Sequence, residues 1–281
     1  MGRGAHRLQY RKMKSKLQKL LPTLSVIDDG ALIALGGNTL NRAPMAAVYA
    51  LALSRKRGLR LVKTAGALDV DLLCFAGCVQ SVDAGFISFE SQFSLCPHYR
   101  QEVEQGLVKA NEHACYTVIS GLRAAAYGLP FMPVRGLMES DLIDANPYFI
   151  RMNDPFSGEA ISAVQAIQPD FGILHVQYAD EYGNARIDGP IYDDLLMSRA
   201  AKKVILTAEE IVPTSFFERS EHKADIPHFL VHSVSLVARG ASLCGCYGFY
   251  AVDEDEVASY LRLKDAAELL CWLEGKRGML S

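Results

Sequence analysis

The 281-residue sequence has no run of about 18 apolar residues, the length needed for a helix that spans a bilayer. Its N-terminus is basic but lacks the apolar core and the cleavage site of a signal peptide. A net charge of -3 gives no global attraction to nucleic acid. We therefore expect a cytoplasmic protein that binds neither membranes nor nucleic acid. The basic run from Arg3 to Lys19 is interpreted as the solvated face of a helix that buries Leu17, Leu20 and Leu21.

Cysteine is also too scattered to indicate a metal site. The chain has seven cysteines, an odd number, and no C-x2-C pair with a second pair nearby. The spacings Cys74-x3-Cys78 and Cys244-x-Cys246 do not match those of common zinc sites. We therefore expect no metal, and we predict that the cysteines in apolar or aromatic segments are reduced and buried. These are Cys74, Cys78, Cys115 and Cys271.

The seven histidines have no recurring spacing, which is a second reason to expect no metal. His175 lies in the apolar segment FGILHVQYAD, where a hydrogen-bonded core histidine is favoured over a catalytic base. His98 and His113 are predicted to be exposed.

Apolar strand-like segments alternate with helical segments along most of the chain. The chain has no internal repeat, low-complexity tract or linker rich in proline and serine. We predict one α/β domain over residues 1–281, with an open, mostly parallel sheet flanked by helices. Residues 1–23 form its basic N-terminal extension, and residues 253–281 a C-terminal helical segment. The predicted strands are ALIAL, LRLVKTA, SVDAGFISFE, FGILHVQYAD, KKVILTAEEI and LVHSVSLVARG.

The segment ALIALGGNTLNRAPMAAV, residues 31–48, places a Gly-Gly turn between a strand and a helix. It matches neither G-x-G-x-x-G nor G-x-x-x-x-G-K-[ST], so a nucleotide site is not indicated. Two alternatives stay open. Gly36 and Gly37 give a ligand access to backbone, with helix amides and Arg42 stabilising a negative oxygen. Otherwise the turn is only structural, and Arg42 binds a group within the chain.

Five segments, in order, resemble the α subunit of family I CoA-transferases, closest to the glutaconate CoA-transferase branch. The resemblance covers about residues 24 to 255. It implies a CoA-transferase or NagB-like fold and a β-subunit partner in an α2β2 or larger assembly. CoA and acyl-CoA are then substrates, and no bound cofactor is implied. The five segments are IALGGNTLNRAPMAAV, GLRAAAYGLPFMPVRG, PDFGILHVQYADEYGNARIDG, AAKKVILTAEEIV and ADIPHFLVHSVSLVARGASLCGCYGFYAVD.

The family's ping-pong chemistry runs through an acyl-glutamyl anhydride and then a glutamyl-CoA thioester. In two-subunit members, the nucleophilic glutamate lies in a glycine-rich segment of the β subunit, and this chain has no such segment. The resemblance therefore assigns the opposite wall of the site to this chain. Two departures affect the substrate class: GASL at 240–243 replaces a frequent GAHP, and Asn38 replaces a frequent aromatic residue. The expected substrate- or CoA-binding residues are Gly36, Gly37, Asn38, Arg42 and Ser91.

Two carboxylates are candidate catalytic groups. Glu90 follows FISF at the end of a predicted strand, where partial desolvation would suit an acid or base. The alternative is a surface acid that pairs with Arg100 or Lys109. Glu112, in KANEHACY, is interpreted either as a site residue or as an acid favoured by the dipole of a helix N-terminus.

These observations lead to three hypotheses. The first is the α subunit of a heteromeric CoA-transferase that acts on a small carboxylic or dicarboxylic acid. The second is an acyl-CoA hydrolase, for thioesters or ring-opening C–C cleavage, that uses Glu90 or Glu112. The third is a non-catalytic, ligand-binding homo-oligomer, which the missing nucleophile segment suggests.

Overall fold

The computed structural model describes residues 13–280. Its main feature is an eight-stranded sheet in the order β11-β10-β8-β1-β2-β3-β4, with β9 paired to β8. All neighbours along this path are parallel, and β9 is antiparallel. A second sheet has three antiparallel strands in the order β5-β7-β6. In chain order, the strands are β1 (Leu32–Leu35), β2 (Leu59–Gly66), β3 (Val79–Ile87), β4 (Lys109–Glu112), β5 (Phe131–Val134), β6 (Phe149–Asn153), β7 (Ala160–Gln165), β8 (Phe171–Ala179), β9 (Ala185–Arg186), β10 (Lys203–Ile211) and β11 (Val231–Leu236).

Helices cover both faces of the large sheet, which explains why its central strands are apolar on both sides. One face packs against α2, α3 and the C-terminal helices, around Tyr49 and Tyr260. The other packs against α6 and α8, around Val118 and Met197. The helices are α1 (Leu20–Leu24), α2 (Met45–Leu53), α3 (Leu68–Phe75), α4 (Glu90–Phe93), α5 (Pro97–Glu104), α6 (Cys115–Ala126), α7 (Leu142–Ala145), α8 (Asp194–Ala200), α9 (Glu254–Tyr260) and α10 (Ala266–Glu274), with four short 3-10 helices at Thr214–Glu218, Ser220–His222, His228–Leu230 and Arg277–Leu280.

The strand order reverses between β1 and β8. From β1 the chain builds outward through β2, β3 and β4, and later returns to build β8, β10 and β11 on the other side. In open parallel sheets, such a switch point leaves a crevice beyond the carboxyl ends of the strands, where ligands bind. The Gly-Gly turn directly follows β1 and therefore lies at this crevice.

The N-terminal prediction is partly wrong. The basic residues up to 12 lie outside the described residues, and residues 13–19 are not helical. Leu17 instead forms a bridge with Val234 of β11. Only Leu20 of the three leucines is buried, because Leu17 and Leu21 are 44% and 51% exposed.

The structure also adds elements that the sequence did not indicate, namely strand β4 and the three-stranded sheet. The C-terminal segment is helical as predicted, in two α-helices and one 3-10 helix. None of the helices within residues 13–280 is long and apolar enough to cross a bilayer.

Candidate active site

The amides of the Gly-Gly turn are bound within the chain. Because these groups already donate hydrogen bonds, they are not available to an anion. The predicted backbone cradle is therefore wrong for these residues. Five amides of the turn donate within the chain, at 2.7 to 3.1 Å. The pairs are Gly36 to O of Ile173, Gly37 to Oδ1 of Asp194, Asn38 to O of Asn41, Thr39 to O of Ala65, and Arg42 to O of Gly245.

Packing within the chain explains both glycines. A Cβ on Gly36 would lie 2.5 Å from Oδ1 of Asp194, which leaves no room for a side chain. Gly37 has φ +71°, and its Cβ would lie 2.4 Å from O of Asn41. Both glycines are buried. They allow β8 and α8 to approach the turn closely, rather than exposing backbone to a ligand.

The contacts of Arg42 support the alternative that the turn is structural and that Arg42 binds groups within the chain. Its side chain is 4% exposed, and Nη2 donates to Oδ2 of Asp194 at 2.7 Å. Nη1 donates to O of His175 at 2.8 Å and to Oδ1 of Asp194 at 3.0 Å. Nη2 also reaches the carbonyls of Pro190 and Ile191, at 3.2 and 3.4 Å. The positive charge is thus neutralised inside the fold and does not face solvent.

A second buried cation holds the other side of the turn. Nζ of Lys63 donates to O of Gly36 and pairs with Oδ2 of Asp69 at 2.9 Å, with both side chains fully buried. Oδ1 of Asp69 accepts from the amides of Ala67 and Val70 at the start of α3. Two ion pairs, one from each side, therefore fix the position of the turn.

Groups at the tip of the turn and after β3 do face outward. Asn38 is half-buried, and Asn41 is exposed. Glu90 and Ser91 are exposed at the start of α4, immediately beyond the carboxyl end of β3. Within residues 13–280, the Glu90 carboxylate has no hydrogen-bond or ion-pair partner. The predicted partial desolvation of Glu90 is therefore absent in this chain by itself, and Arg100 pairs with Glu104 instead.

Glu112 does not occupy a helix terminus, so that interpretation is wrong. It is the last residue of β4, three positions before α6 begins. The register pairs Glu112 with Ala84, which lies six residues before Glu90. At about 3.3 Å per residue along a strand, the two carboxylates are not neighbours. The structure brings Glu90 toward the switch-point crevice and leaves Glu112 at the sheet edge.

Residues with left-handed backbone collect around the crevice. Eight described non-glycine residues have positive φ, and six of them lie in the segments that follow β1, β3, β9 and β11 of the large sheet. A non-glycine residue in this conformation has a strained backbone, and such residues cluster at functional sites. The six are Thr39, Arg42, Glu90, Ser94, Tyr192 and Arg239.

Tyr192 and Asp194 are the site residues that the sequence did not reveal. Asp194 begins α8 and joins Gly37 to Arg42. Nothing in the sequence identifies these distant partners of Asp194. Tyr192 is 40% exposed. Burial is the main reason that its pKa is raised, and the nearby charges of Asp194 and Glu90 contribute in the same direction.

A buried network lies next to the turn. His175 binds Oγ1 of Thr207 through Nδ1 and Oε1 of Glu209 through Nε2, both at 2.8 Å. Glu209 also accepts from Tyr250 Oη and, at 2.6 Å, from the amide of Arg239. Burial lowers the pKa of His175. His175 is thus a hydrogen-bonded core residue, as predicted.

The same network contains a group of potential metal ligands among the described residues. One donor atom each from His175, Glu209 and Cys246 lies within 4.8 Å of the others. Both ring nitrogens of His175 and both oxygens of Glu209 already have hydrogen-bond partners. Because these groups are satisfied without an ion, we interpret the cluster as a structural network.

Several predictions of burial need correction. Cys74 and Cys78 are buried, but Cys115 and Cys271 are exposed. His98 and His113 are both buried rather than exposed. His98 stacks on Phe75, and His113 lies 3.1 Å from Oγ1 of Thr117. Histidine patterning does not reveal such burial, because an imidazole is stable in either environment when it finds partners.

The sequence matches the family model described as Coenzyme A transferase over residues 22–236. The chain belongs to the coenzyme A transferase family. The resemblance to α subunits of family I CoA-transferases, and the open α/β fold that it implied, are confirmed.

Relatives within the coenzyme A transferase family differ in their reactions. An uncharacterised protein of Archaeoglobus fulgidus is 37% identical over 243 residues, which are 86% of this chain and 54% of that protein. The chain thus spans about half the length of this first relative. A glutaconate CoA-transferase subunit of Acidaminococcus fermentans is 30% identical over 258 residues, which are 86% of this chain and 81% of that relative. The cholesterol ring-cleaving hydrolase IpdA subunit of Mycobacterium tuberculosis is 32% identical over 220 residues, 74% of this chain and 73% of that relative.

Solved structures agree with this family assignment. The AibA/AibB decarboxylase superposes with a TM-score of 0.84 at 34% identity, covering 93% of this chain and 100% of that chain. Glutaconate coenzyme A-transferase from Acidaminococcus fermentans superposes with a TM-score of 0.82 at 29% identity, covering 94% of both chains. The sequence relatives and structural neighbours of this chain therefore include a transferase, a hydrolase and a decarboxylase.

Proposed function

We propose that this chain is the α subunit of a heteromeric CoA-transferase, which moves CoA between an acyl-CoA and a small carboxylic or dicarboxylic acid. The observation that carries the proposal is the family match over residues 22–236. The switch point between β1 and β8 supports it, because ligands of open parallel sheets bind in the crevice beyond the carboxyl ends of the strands. CoA is treated as a substrate, and the proposal includes no resident cofactor or metal.

The nucleophilic glutamate is assigned to a β-subunit partner in an α2β2 or larger assembly. On this chain, Asn38, Glu90 and Ser91 are the expected residues that face the substrate, because they are not fully buried. Gly36, Gly37 and Arg42 act through the turn, which they hold in place. This division of roles predicts that the chain alone does not catalyse turnover.

The test is to co-express the chain with a β-subunit candidate and to assay CoA exchange between acetyl-CoA and a panel of small mono- and dicarboxylic acids. We expect a stable complex that exchanges CoA, while the chain alone is inactive. Released CoA without acceptor and released carbon dioxide are measured in the same samples. A pure complex that exchanges CoA with no acid on the panel would refute the transferase proposal.

A second candidate function is acyl-CoA hydrolysis, including ring-opening C–C hydrolysis. Its support is the exposed and unpaired carboxylate of Glu90 at the crevice, together with the hydrolase relative at 32% identity. A carboxylate so placed is able to activate a water molecule as a general base.

Glu90→Gln separates the two functions. If the complex is a hydrolase, the variant loses acceptor-independent CoA release by about 100-fold or more, on the order of general acid–base catalysis. If it is a transferase, CoA release without acceptor is negligible in the wild type as well. Glu112→Gln is the matched control, because Glu112 is also exposed but lies on the edge strand β4.

A further inference from the structure

A cavity of about 440 Å³, here called the amino-end cavity, is lined by residues from the large sheet and from segments next to the three-stranded sheet. Leu32 begins β1, while Asp170 and Lys202 immediately precede β8 and β10, so the cavity lies at the amino ends of these parallel strands. Sites of about 300–1,000 Å³ hold small molecules in proteins. The lining includes Leu32, Arg60, Pro147, Tyr148, Asp170 and Lys202.

Strand β1 separates the amino-end cavity from the Gly-Gly turn. The strand has four residues, Leu32–Leu35, and its first residue lines the cavity while Gly36 follows its last. At about 3.3 Å per residue along a strand, the cavity and the turn lie about 13 Å apart. A ligand in the amino-end cavity therefore occupies a different site from a ligand in the crevice.

One carboxylate and two cations are the charged groups of this lining. Oδ1 of Asp170 accepts from Nζ of Lys202 at 2.8 Å, and Oδ2 accepts from the amide of Leu32 at 2.9 Å. Nη2 of Arg60 lies 4.0 Å from Oδ2 of Asp170. Although burial opposes the shift, the hydrogen bonds from Lys202 and Leu32 lower the pKa of Asp170, so its carboxylate is ionised at neutral pH. The lining thus has one excess positive charge.

Both cations have N–H groups left for a ligand. Nε of Arg60 donates to O of Gly30 at 3.2 Å, while Nη1 and Nη2 make no hydrogen bond within residues 13–280. Nζ of Lys202 carries three N–H groups, and Asp170 accepts from one of them. The three charged side chains are 32% to 57% exposed, and ion pairs in such positions are weak. The cations are therefore able to turn toward an anion without a large loss of stability.

The groove on the other side of Asp170 has the opposite balance of charge. It shares two residues with the amino-end cavity, but its lining has three carboxylates against two ammonium groups. An anion is repelled by such a surface. The excess positive charge is thus confined to the side on which Arg60 lies. The charged residues of the groove are Asp28, Asp29, Asp170, Lys202 and Lys203.

We propose that the amino-end cavity binds an organic monocarboxylate. The planar guanidinium of Arg60 and the ammonium of Lys202 donate to the carboxylate oxygens. The organic part packs against the exposed Pro147 and the half-buried Tyr148. One negative charge balances the excess positive charge of the lining. A dianion such as a phosphate monoester is disfavoured, because its second charge is repelled by Asp170.

The test follows the binding of para-fluorobenzoate to the purified chain by fluorine NMR. Arg60→Gln and Lys202→Gln should each weaken binding about tenfold or more, because each removes a hydrogen bond from a charged donor. Lys202→Arg keeps the positive charge and should retain binding. Lys203→Gln is the matched control, since Lys203 is the neighbouring exposed lysine and lines the adjoining groove instead.

Two further probes decide the chemistry of the ligand. The neutral para-fluorobenzamide should bind about tenfold more weakly than the carboxylate, and inorganic phosphate should compete poorly. Equal affinity for the amide and the carboxylate overturns recognition by charge. Displacement by phosphate at lower concentrations than by benzoate overturns the assignment to a monocarboxylate. The site itself is overturned if the wild-type chain does not bind para-fluorobenzoate, or if binding is unchanged in both Arg60→Gln and Lys202→Gln.

Discussion

At the scale of single residues, two buried ion pairs hold the Gly36–Gly37 turn in place. Arg42 with Asp194 and Lys63 with Asp69 approach the Gly36–Gly37 turn from different elements. Charges in the interior are costly unless they are paired and hydrogen-bonded. Because the chain buries two such pairs beside the crevice despite the desolvation penalty, we infer that a fixed conformation of the turn is important for the site.

Asp194→Ala should destabilise the chain by about 3–5 kcal/mol, because it leaves the Arg42 guanidinium buried without its counter-ion. The free energy of unfolding, measured by urea denaturation, checks this expectation. Lys202→Ala is the matched control, since Lys202 pairs with Asp170 at the exposed surface. Such a surface pair contributes about 1 kcal/mol or less. Equal losses in the two variants would contradict the structural role assigned to Asp194.

The sequence located the turn but not its chemistry. Two adjacent glycines after an apolar run predicted a tight strand-to-helix turn, which the structure contains. Whether its amides faced a ligand depended on Asp194, which lies 157 residues beyond Gly37. Glu90 was identified because it follows a strand, whereas Asp194 became visible only when the fold placed it beside Gly37 and Arg42. Local pattern therefore predicts where a site lies, and long-range pairing decides which groups remain free.

At the scale of elements, the long apolar strands were predictable and the short polar ones were not. Eight of the nine residues of β8 and six of the nine of β10 are buried, and each strand contains an apolar run, FGIL in β8 and VIL in β10. β4 has no buried residue and lies at the sheet edge, so KANE has no hydrophobic pattern to detect. β5 contains Pro133, which is typical of an edge strand and weakens a strand prediction. Pairing with neighbours, rather than composition, creates these strands.

A buried carboxyl group links α3 to the C-terminal helices. Oδ2 of Asp71 accepts from Oη of Tyr260 at 2.7 Å, and Oδ1 accepts from the amide of Tyr99 at 2.7 Å. Burial raises the pKa of Asp71 from 3.8 to about 6, although both hydrogen bonds oppose that shift. The contact between these elements therefore depends on pH.

Comparison of Asp71→Asn with wild type should reveal this dependence. Well below the unfolded pKa of 3.8, the carboxyl is protonated in both folded and unfolded states. As pH rises toward 6, the unfolded chain ionises first, so the wild-type free energy of unfolding falls by up to about 3 kcal/mol. Asparagine does not titrate, so the stability of the variant relative to wild type should increase from pH 4 to 6 and then level off. Urea denaturation at each pH measures the difference, and a constant difference would refute a raised pKa at Asp71.

At the scale of the whole molecule, exposed apolar residues gather beside the crevice. They include Phe86 near the end of β3, Leu95 after it, Tyr116 at the start of α6, and Tyr247. Groups of exposed apolar side chains next to polar ones mark sites of protein association. In the proposed function, the β subunit supplies the nucleophile and has to reach this same crevice. The surface around residues 86–95 and 116 is therefore the expected docking surface.

Amide hydrogen exchange of the chain, alone and with its β partner, should show new protection at residues 86–95 and 114–118. The reason is that association removes these backbone groups from water and opposes local opening. The three-stranded sheet is the internal control, because Phe131 and Ile150 are also exposed and apolar but belong to a different sheet. Protection confined to residues 131–153 would place the partner away from the crevice. In that case a glutamate from the β subunit would not meet Glu90 in one site, and catalysis would have to rely on residues of this chain.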